Sequence, residues 1–255
     1  MSEKGRYYLI GELLEETQFE MIRQSGKKYV AVLSPEEWKK ERDSFEMGID
    51  LEPEIPDVFM TKAEVNYDSL TGTFSIPDRS NLAGEDSKFA FALDEKGIVF
   101  IDESGEALRL IQSVQRTKKW KLPSLERFIY DFLDQIVKDD LRLLEQFESR
   151  LNEIEHAITD KSAEDDLTGG TNDIRSDIRT LLIHYDQLMD LGQELEENEN
   201  NFFDPDNLRY FHLFLSRMER LHDTAASVRD YTLQVRDLYK AHLDIKQNRI
   251  MTVLT

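Results

Sequence analysis

From Asp206 to Thr255 the chain runs for fifty residues without a glycine or a proline. Such a run predicts one uninterrupted helix, and at about 1.5 Å per residue it makes a rod of roughly 75 Å. A compact domain of 255 residues needs no helix of that length, so a coiled coil, a bundle or a membrane must take up its surface. Asp204-Pro205-Asp206 marks the start, with a capping aspartate, a proline at the first position and acids at the positive end of the helix dipole. The far end carries no stop signal. Helices usually close on glycine, asparagine or a basic last turn, whereas this one finishes IMTVLT and grows more apolar to its last residue, as if cut before the helix is complete. Stepping back from Thr255 by fours and threes collects Met251, Asn248, Asp244, Ala241 and Asp237 on one stripe. A seam this polar is either a solvated face or, turned toward its own copies around an axis, the lining of a wet, acidic tunnel.

The first 122 residues follow a different period. Short runs, several of them alternating apolar with polar, are bounded by turn signals: YYLI at 7 to 10, TQFEMIR at 17 to 23, KKYVAVL at 27 to 33, TKAEVNY at 61 to 67, GTFSI at 72 to 76, SKFAFAL at 87 to 93 and GIVFI at 97 to 101. They predict a mixed or antiparallel sheet of about six to seven strands, with DEKG at 94 to 97 closing a hairpin. Ser34-Pro35-Glu36-Glu37 supplies a cap, a proline and an acid three residues on, opening a helix that Gly48 can close. A second helix is expected from Glu106 to about Lys118, and this part of the chain is α+β.

After Pro123 the period turns helical. Leu125, Ile129, Phe132, Ile136, Leu143, Phe147, Leu151, Ile154 and Ile158 step by three, four or seven, which predicts one long amphipathic helix. The acidic, glycine-containing stretch from Ser162 to Thr171 should break it, and a second seam follows at Ile174, Ile178, Leu181, Tyr185, Leu188 and Leu195. The expected organisation is therefore an α/β domain over 1–122, an antiparallel helix pair over 123–203 and a stalk helix over 204–255.

Charge excludes several functions. The net charge is −20, with 24 acidic and 17 basic residues up to Leu122 and 28 and 15 after it. Such a field repels nucleic acid and attracts cations. The absence of cysteine removes disulfides, thiolate metal sites and thiol nucleophiles. No window approaches the 18 apolar residues or so of a membrane span, and no signal peptide opens the chain. The five histidines, His156, His184, His212, His222 and His242, show no metal-ligand spacing, although Glu219 and His222 lie one turn apart. Arg116 to Lys121 (RTKKWK) reads as a contact for anionic lipid or as a solvated turn, and Glu194 to Glu199 as a cation-gathering cluster or a solvated helix tip. No phosphate loop, nucleophile elbow or paired catalytic carboxylate is present, so an enzyme is not expected.

Two segments resemble the CorA family of magnesium and related divalent-cation transporters. One is LERFIYDFLDQIVKDDLRLLEQFESRLNEIEHAI, similar to the family's paired-helix opening; the other is the terminal NRIMTVLT, similar to the pattern that precedes the family's first transmembrane helix. The resemblance implies an N-terminal α/β/α sandwich, an acidic-tipped antiparallel helix pair and a stalk descending to the membrane, five copies forming a funnel on the cytoplasmic face. It implies that Asn248, Met251 and Leu254 line the pore entrance and gate, that Asp237 and Asp244 face the channel, and that no cofactor is tightly bound. Magnesium or another divalent cation (Co2+, Ni2+ or Zn2+) is then both cargo and regulator, holding the pore shut from sites between subunits; low cytosolic magnesium lets it open. Asp57 is the candidate acid for such a site, but its stalk partner, an aspartate in the family, falls on Leu213 beside His212. Thr252 replaces the family's usual lysine. A transporter gene should continue past Thr255 with two apolar segments of about 20 residues, the first followed by Gly-Met-Asn. The rival reading is a soluble coiled-coil interaction protein whose apolar C-terminus binds a partner.

Overall fold

A computed structural model describes residues 5–47, 60–160 and 167–254, the backbone alone at 167–168 and 249–254. Seven strands form one mixed sheet: β1 (Arg6–Ile10), β2 (Leu14–Thr17), β3 (Tyr29–Leu33), β4 (Lys62–Val65), β5 (Leu70–Ile76), β6 (Ser87–Leu93) and β7 (Gly97–Asp102). Their order is β2-β1-β3-β7-β6-β5-β4, with β3 and β7 parallel and every other neighbouring pair antiparallel. Successive side chains point to opposite faces, and both faces are apolar in the central strands. Tyr8, Val30, Phe89, Phe91 and Phe100 therefore enter one core while Tyr7, Tyr29, Ala31, Ala90, Val99 and Ile101 enter the other.

Helices cover each face, which makes the α/β/α sandwich. On the smaller core lie α1 (Phe19–Gln24), through Ile22, and α2 (Pro35–Phe45), through Trp38 and Phe45. The larger core is closed by α3 (Glu106–Thr117) and α4 (Leu125–Ile136). Local signals account for the boundaries. Ser34 Oγ accepts from Glu37 N at 3.2 Å and Glu37 Oε2 from Ser34 N at 2.9 Å, the reciprocal box expected at the start of α2. That helix closes at Phe45 with Glu46 left-handed at φ 57°; Gly48, the expected stop, lies outside the described residues. The β6–β7 hairpin turns on Asp94, whose Oδ1 accepts from Lys96 N and Gly97 N at 2.7 and 3.0 Å. Burial pushes this carboxyl up to about 6. Gly97 has to be glycine, because a Cβ there would stand 2.5 Å from Tyr29 O on the parallel neighbour.

Three expectations are corrected. Residues 17 to 23 are not a strand: the strand is LEET at 14 to 17, and FEMIRQ forms α1, whose single buried residue, Ile22, seats it on the sheet. The helix opening at Leu125 is also not continuous to Ile158. It stops at Ile136 and resumes as α5 (Asp140–Thr159). Arg79, from the β5–β6 connection, sits at the break. Its Nη2 donates to Ile136 O at 3.3 Å, while Nε and Nη2 hold the two oxygens of Asp140 at 2.9 Å each. The apolar period runs through the break because Ile136 and Leu143 are seven apart. Finally, Gly169 and Gly170 are helical: α6 (Leu167–Glu197) already includes them.

A short 3-10 turn (Pro205–Asn207), its first N–H groups capped by Asp204, leads into α7 (Arg209–Leu254). Its 46 residues rise about 69 Å. The buried residues Phe211, Phe214, Met218, Leu221, Ala225, Val228, Thr232 and Val235 alternate by three and four, a heptad seam. α7 runs close to both α6 and α5, which approach each other less closely, so the stalk is the spine of this bundle. Where α6 and α7 cross, a Cβ at Gly192 would come within 2.9 Å of Leu215, which explains a glycine in mid-helix. α6 also shields the edge strand β4: Thr61 N donates to Gln187 Oε1, and Asn200 Nδ2 to Asn66 O, both at 2.8 Å.

Two substitutions test this packing. Phe132, in ring contact with Phe74, Phe89, Phe100 and Phe128, joins the sheet to α4; Phe132→Ala should cost about 3–5 kcal/mol in denaturant unfolding. Arg79→Ala leaves the Asp140 carboxylate, 1% exposed, without its cation, and should cost about 3–5 kcal/mol by the same measurement. Arg79→Lys should recover only part of it, since an ammonium cannot span both oxygens.

Candidate functional site

The heptad seam of α7 ends at Val235, but the helix continues to Leu254. From there Tyr239 and His242 are half-buried, and no described residue is fully buried. Asp237, Ala241, Asp244 and Asn248 form an exposed stripe. At 100° per residue, Asp237 lies about 200° around the helix from Val235, so the stripe is on the side opposite the packed seam. The two are one pattern: the face that packs is apolar and the face turned outward is acidic. Asp237 Oδ1 has Arg236 Nη2 at 3.4 Å, a solvent-exposed pair of little energetic weight. Beside the stripe Leu238 and Ile245 are exposed apolar residues. Met251 and Leu254 follow on the same helix, one turn and nearly two turns past Asn248.

The other sequence-predicted positions do not join this stripe. Leu213 is 51% exposed near the start of α7, and its neighbour His212 places Nδ1 3.3 Å from Glu196 Oε1. Asp57 lies outside the described residues. His222 faces Asp186 at 3.4 Å and Asp223 at 3.8 Å rather than Glu219. Among the described residues no three His, Cys, Asp or Glu side chains come together in a way that could hold a metal ion within one copy. The RTKKWK segment is folded back on α4: Lys118 Nζ is 3.0 Å from Asp131 Oδ1, and Trp120 Nε1 donates to Asp131 Oδ2 at 2.7 Å. Two of its groups thus serve the interior.

The stalk is aimed by charges that the sequence pattern did not single out. Glu126, Asp131 and Asp134 of α4 are buried, and each has a partner. Glu126 Oε1 accepts from Asp204 N at 2.8 Å and Oε2 from Asn207 Nδ2 at 3.3 Å, so a carboxylate of α4 caps the turn that begins the stalk. Asp134, two turns further along α4, pairs with Arg217 of α7. Asp131 gathers Lys118, Trp120 and Arg127, fixing α4 to the segment arriving from the sheet. Acids on an amphipathic helix look solvent-facing. The available signal was that these acids flank the core residues Leu125, Phe128, Phe132 and Leu133, leaving α4 almost no polar face.

Among the described residues no helix is long and apolar enough to cross a membrane. No curated protein matches the sequence closely enough to be counted a relative. Solved structures share the fold. The full-length CmaX protein superposes with a TM-score of 0.76 at 12% identity, covering 100% of this chain and 82% of that one. The complete CorA magnesium transporter of Methanocaldococcus jannaschii gives 0.74 at 14%, with the same coverages. The ZntB cytoplasmic domain of Vibrio parahaemolyticus gives 0.71 at 11%, covering 96% of this chain and 99% of that one. At these identities the likeness is one of fold. The sequence itself decides the family: residues 57–255, from the β4 side of the sheet to the end of the stalk, match the model described as CorA-like Mg2+ transporter protein, and the chain belongs to that family.

Proposed function

We propose that this chain forms the cytosolic body and pore entrance of a divalent-cation transporter, with the last turns of α7 leading into the membrane. One observation carries the reading: α7 outlasts its own packed seam by some five turns, from Val235 to Leu254, and presents Asp237, Asp244 and Asn248 on its unpacked side. A second copy of the stalk, or four more, supplies the missing cover through Leu238 and Ile245. The acids would then stand in rings around an axis, with Met251 and Leu254 below them as a narrow apolar gate. Exposed carboxylates suit this task. They raise the local cation concentration through their field and bind a hard ion such as Mg2+ through its retained water rather than by stripping it.

Regulation by the same ion, held between subunits, is the accompanying proposal. Among the described residues of one copy no metal cluster forms, and a site shared between two copies would draw its ligands from both. Leu213 cannot be one of them, so Asp57 would need another acid, and Glu196, paired with Leu213's neighbour His212, is a carboxylate close to that position.

The reading is tested by flux. The protein, with whatever its gene encodes beyond Thr255, is reconstituted into liposomes loaded with a Mg2+ indicator. Mg2+ uptake should follow, and an absence of flux for Mg2+, Co2+, Ni2+ and Zn2+ alike would overturn it. In the same assay Asp237→Asn with Asp244→Asn should lower flux several-fold at low ionic strength and less at high, because exposed charges are screened within about 10 Å at 0.1 M salt. For the chain alone, Mg2+ at a hundred times its Kd should stabilise the fold by about 2.7 kcal/mol if a site forms between copies. A melting temperature and light-scattering mass indifferent to Mg2+ would remove that site.

A further inference from the structure

His184 has no place in the stripe or in the packing logic of α6. It lies on the face of α6 that meets the sheet, three residues before Gln187, the side chain that receives the Thr61 N–H of the edge. The side chain is buried at 2% exposure; the Ser75 backbone lies close enough to favour its proton, but neither ring nitrogen has a hydrogen bond of good geometry. Buried polar groups are almost always paired, so a buried imidazole this poorly satisfied needs a reason. The surroundings are hostile to a proton. The charged group facing the ring is the Arg79 guanidinium, whose fork is already committed to Asp140. The neighbouring Tyr185 ring is 6.3 Å away, and its hydroxyl is turned toward Asp140. Only the Ser75 backbone of β5 favours a charged ring, and no carboxylate contributes.

We propose that His184 makes the seam between α6 and the sheet an acid-sensitive latch: the seam is closed while the imidazole is neutral, and protonation drives α6 away from β4 and β5. Desolvation first, and then the Arg79 charge, hold this histidine well below its ordinary range in the closed seam. An opened seam would return it to about 6.5. The sign follows. A group whose folded pKa is depressed and whose charged form is the protonated one stabilises the closed state fully above the open-state value, and that stability is lost as pH falls below it. Below about pH 6.5 the opening equilibrium should therefore rise about tenfold per pH unit, one proton being taken up per opening. The movement would not stay local, since α6 is a main packing partner of α7.

The test is amide hydrogen exchange across residues 181–190, corrected for the intrinsic pH dependence of exchange, at pH 7.0 and 5.5 in the wild-type chain and in His184→Leu. The wild type should open about tenfold more at the lower pH, and the variant should lose that increase while keeping the background response of the carboxylates, which both share. An equal pH response in both would overturn the latch. The second measurement needs no variant: in 13C-labelled histidine spectra His184 should not titrate between pH 8 and 6. Titration near 6.5 in a seam that stays protected against exchange would also overturn it.

Discussion

Burying a carboxylate costs several kcal/mol unless a cation or an N–H group meets it, and this fold buries four of them within fifteen residues: Glu126, Asp131, Asp134 and Asp140. That requirement decides how the molecule is joined. Apolar packing alone would let α4 rotate or slide over the sheet at little cost, because Phe and Leu surfaces tolerate many registers. Four paired acids do not. Asp131 ties α4 to the arriving chain, Asp140 takes the arginine of a distant loop, and Glu126 and Asp134 reach the turn before α7 and α7 itself from two points about 12 Å apart along α4. Two separated anchors fix a direction as well as a position. The stalk leaves the body at an angle set by charge pairing, and everything farther along it inherits that angle.

The Leu213 position shows what family membership does and does not carry. The stalk, the sandwich and the exposed acids at 237 and 244 accord with a cation-handling protein. An apolar side chain at 213 cannot ligate a hard ion, and its neighbour His212 is already beside Glu196. Shared architecture therefore supports transport more firmly than it supports any particular way of sensing the transported ion.

Much of this was legible in the sequence for a physical reason: long periodic elements state their period many times over. The uninterrupted α7, the central strands and the Ser34 box all matched, and Asp237, Asp244 and Asn248 are exposed on one side of the stalk. The misreadings come from elements that state it once. Residues 17 to 23 hold too few apolar positions to distinguish a period of two from one of 3.6, and a four-residue edge strand beside a six-residue helix was the outcome. The break after Ile136 is caused by Arg79, more than fifty residues earlier, and no local window contains it. Gly169 and Gly170 read as a breaker by composition, yet their place on α6 is compatible with the bundle: a Cβ at Gly170 would find only ordinary contact with Ile154 at 3.6 Å. The charged anchors of α4 were hidden for the opposite reason, since a carboxylate in a helix is read as a solvent face until its partner is known.

The seam and the stripe of α7 together have the character of a gear. Both repeat on seven residues, the seam from Phe211 to Val235 and the acids from Asp237 to Asp244, and they are locked in phase because one helix carries both. Adding or removing one residue between Val235 and Asp237 would turn every acid below it by about 100° and present a different face to its surroundings, while leaving the packed seam in place. A change of seven would keep the face and shift the acids along the axis by about 10.5 Å. Length in this stalk is therefore quantised, and relatives of this chain should differ there in whole heptads even where their side chains have drifted beyond recognition.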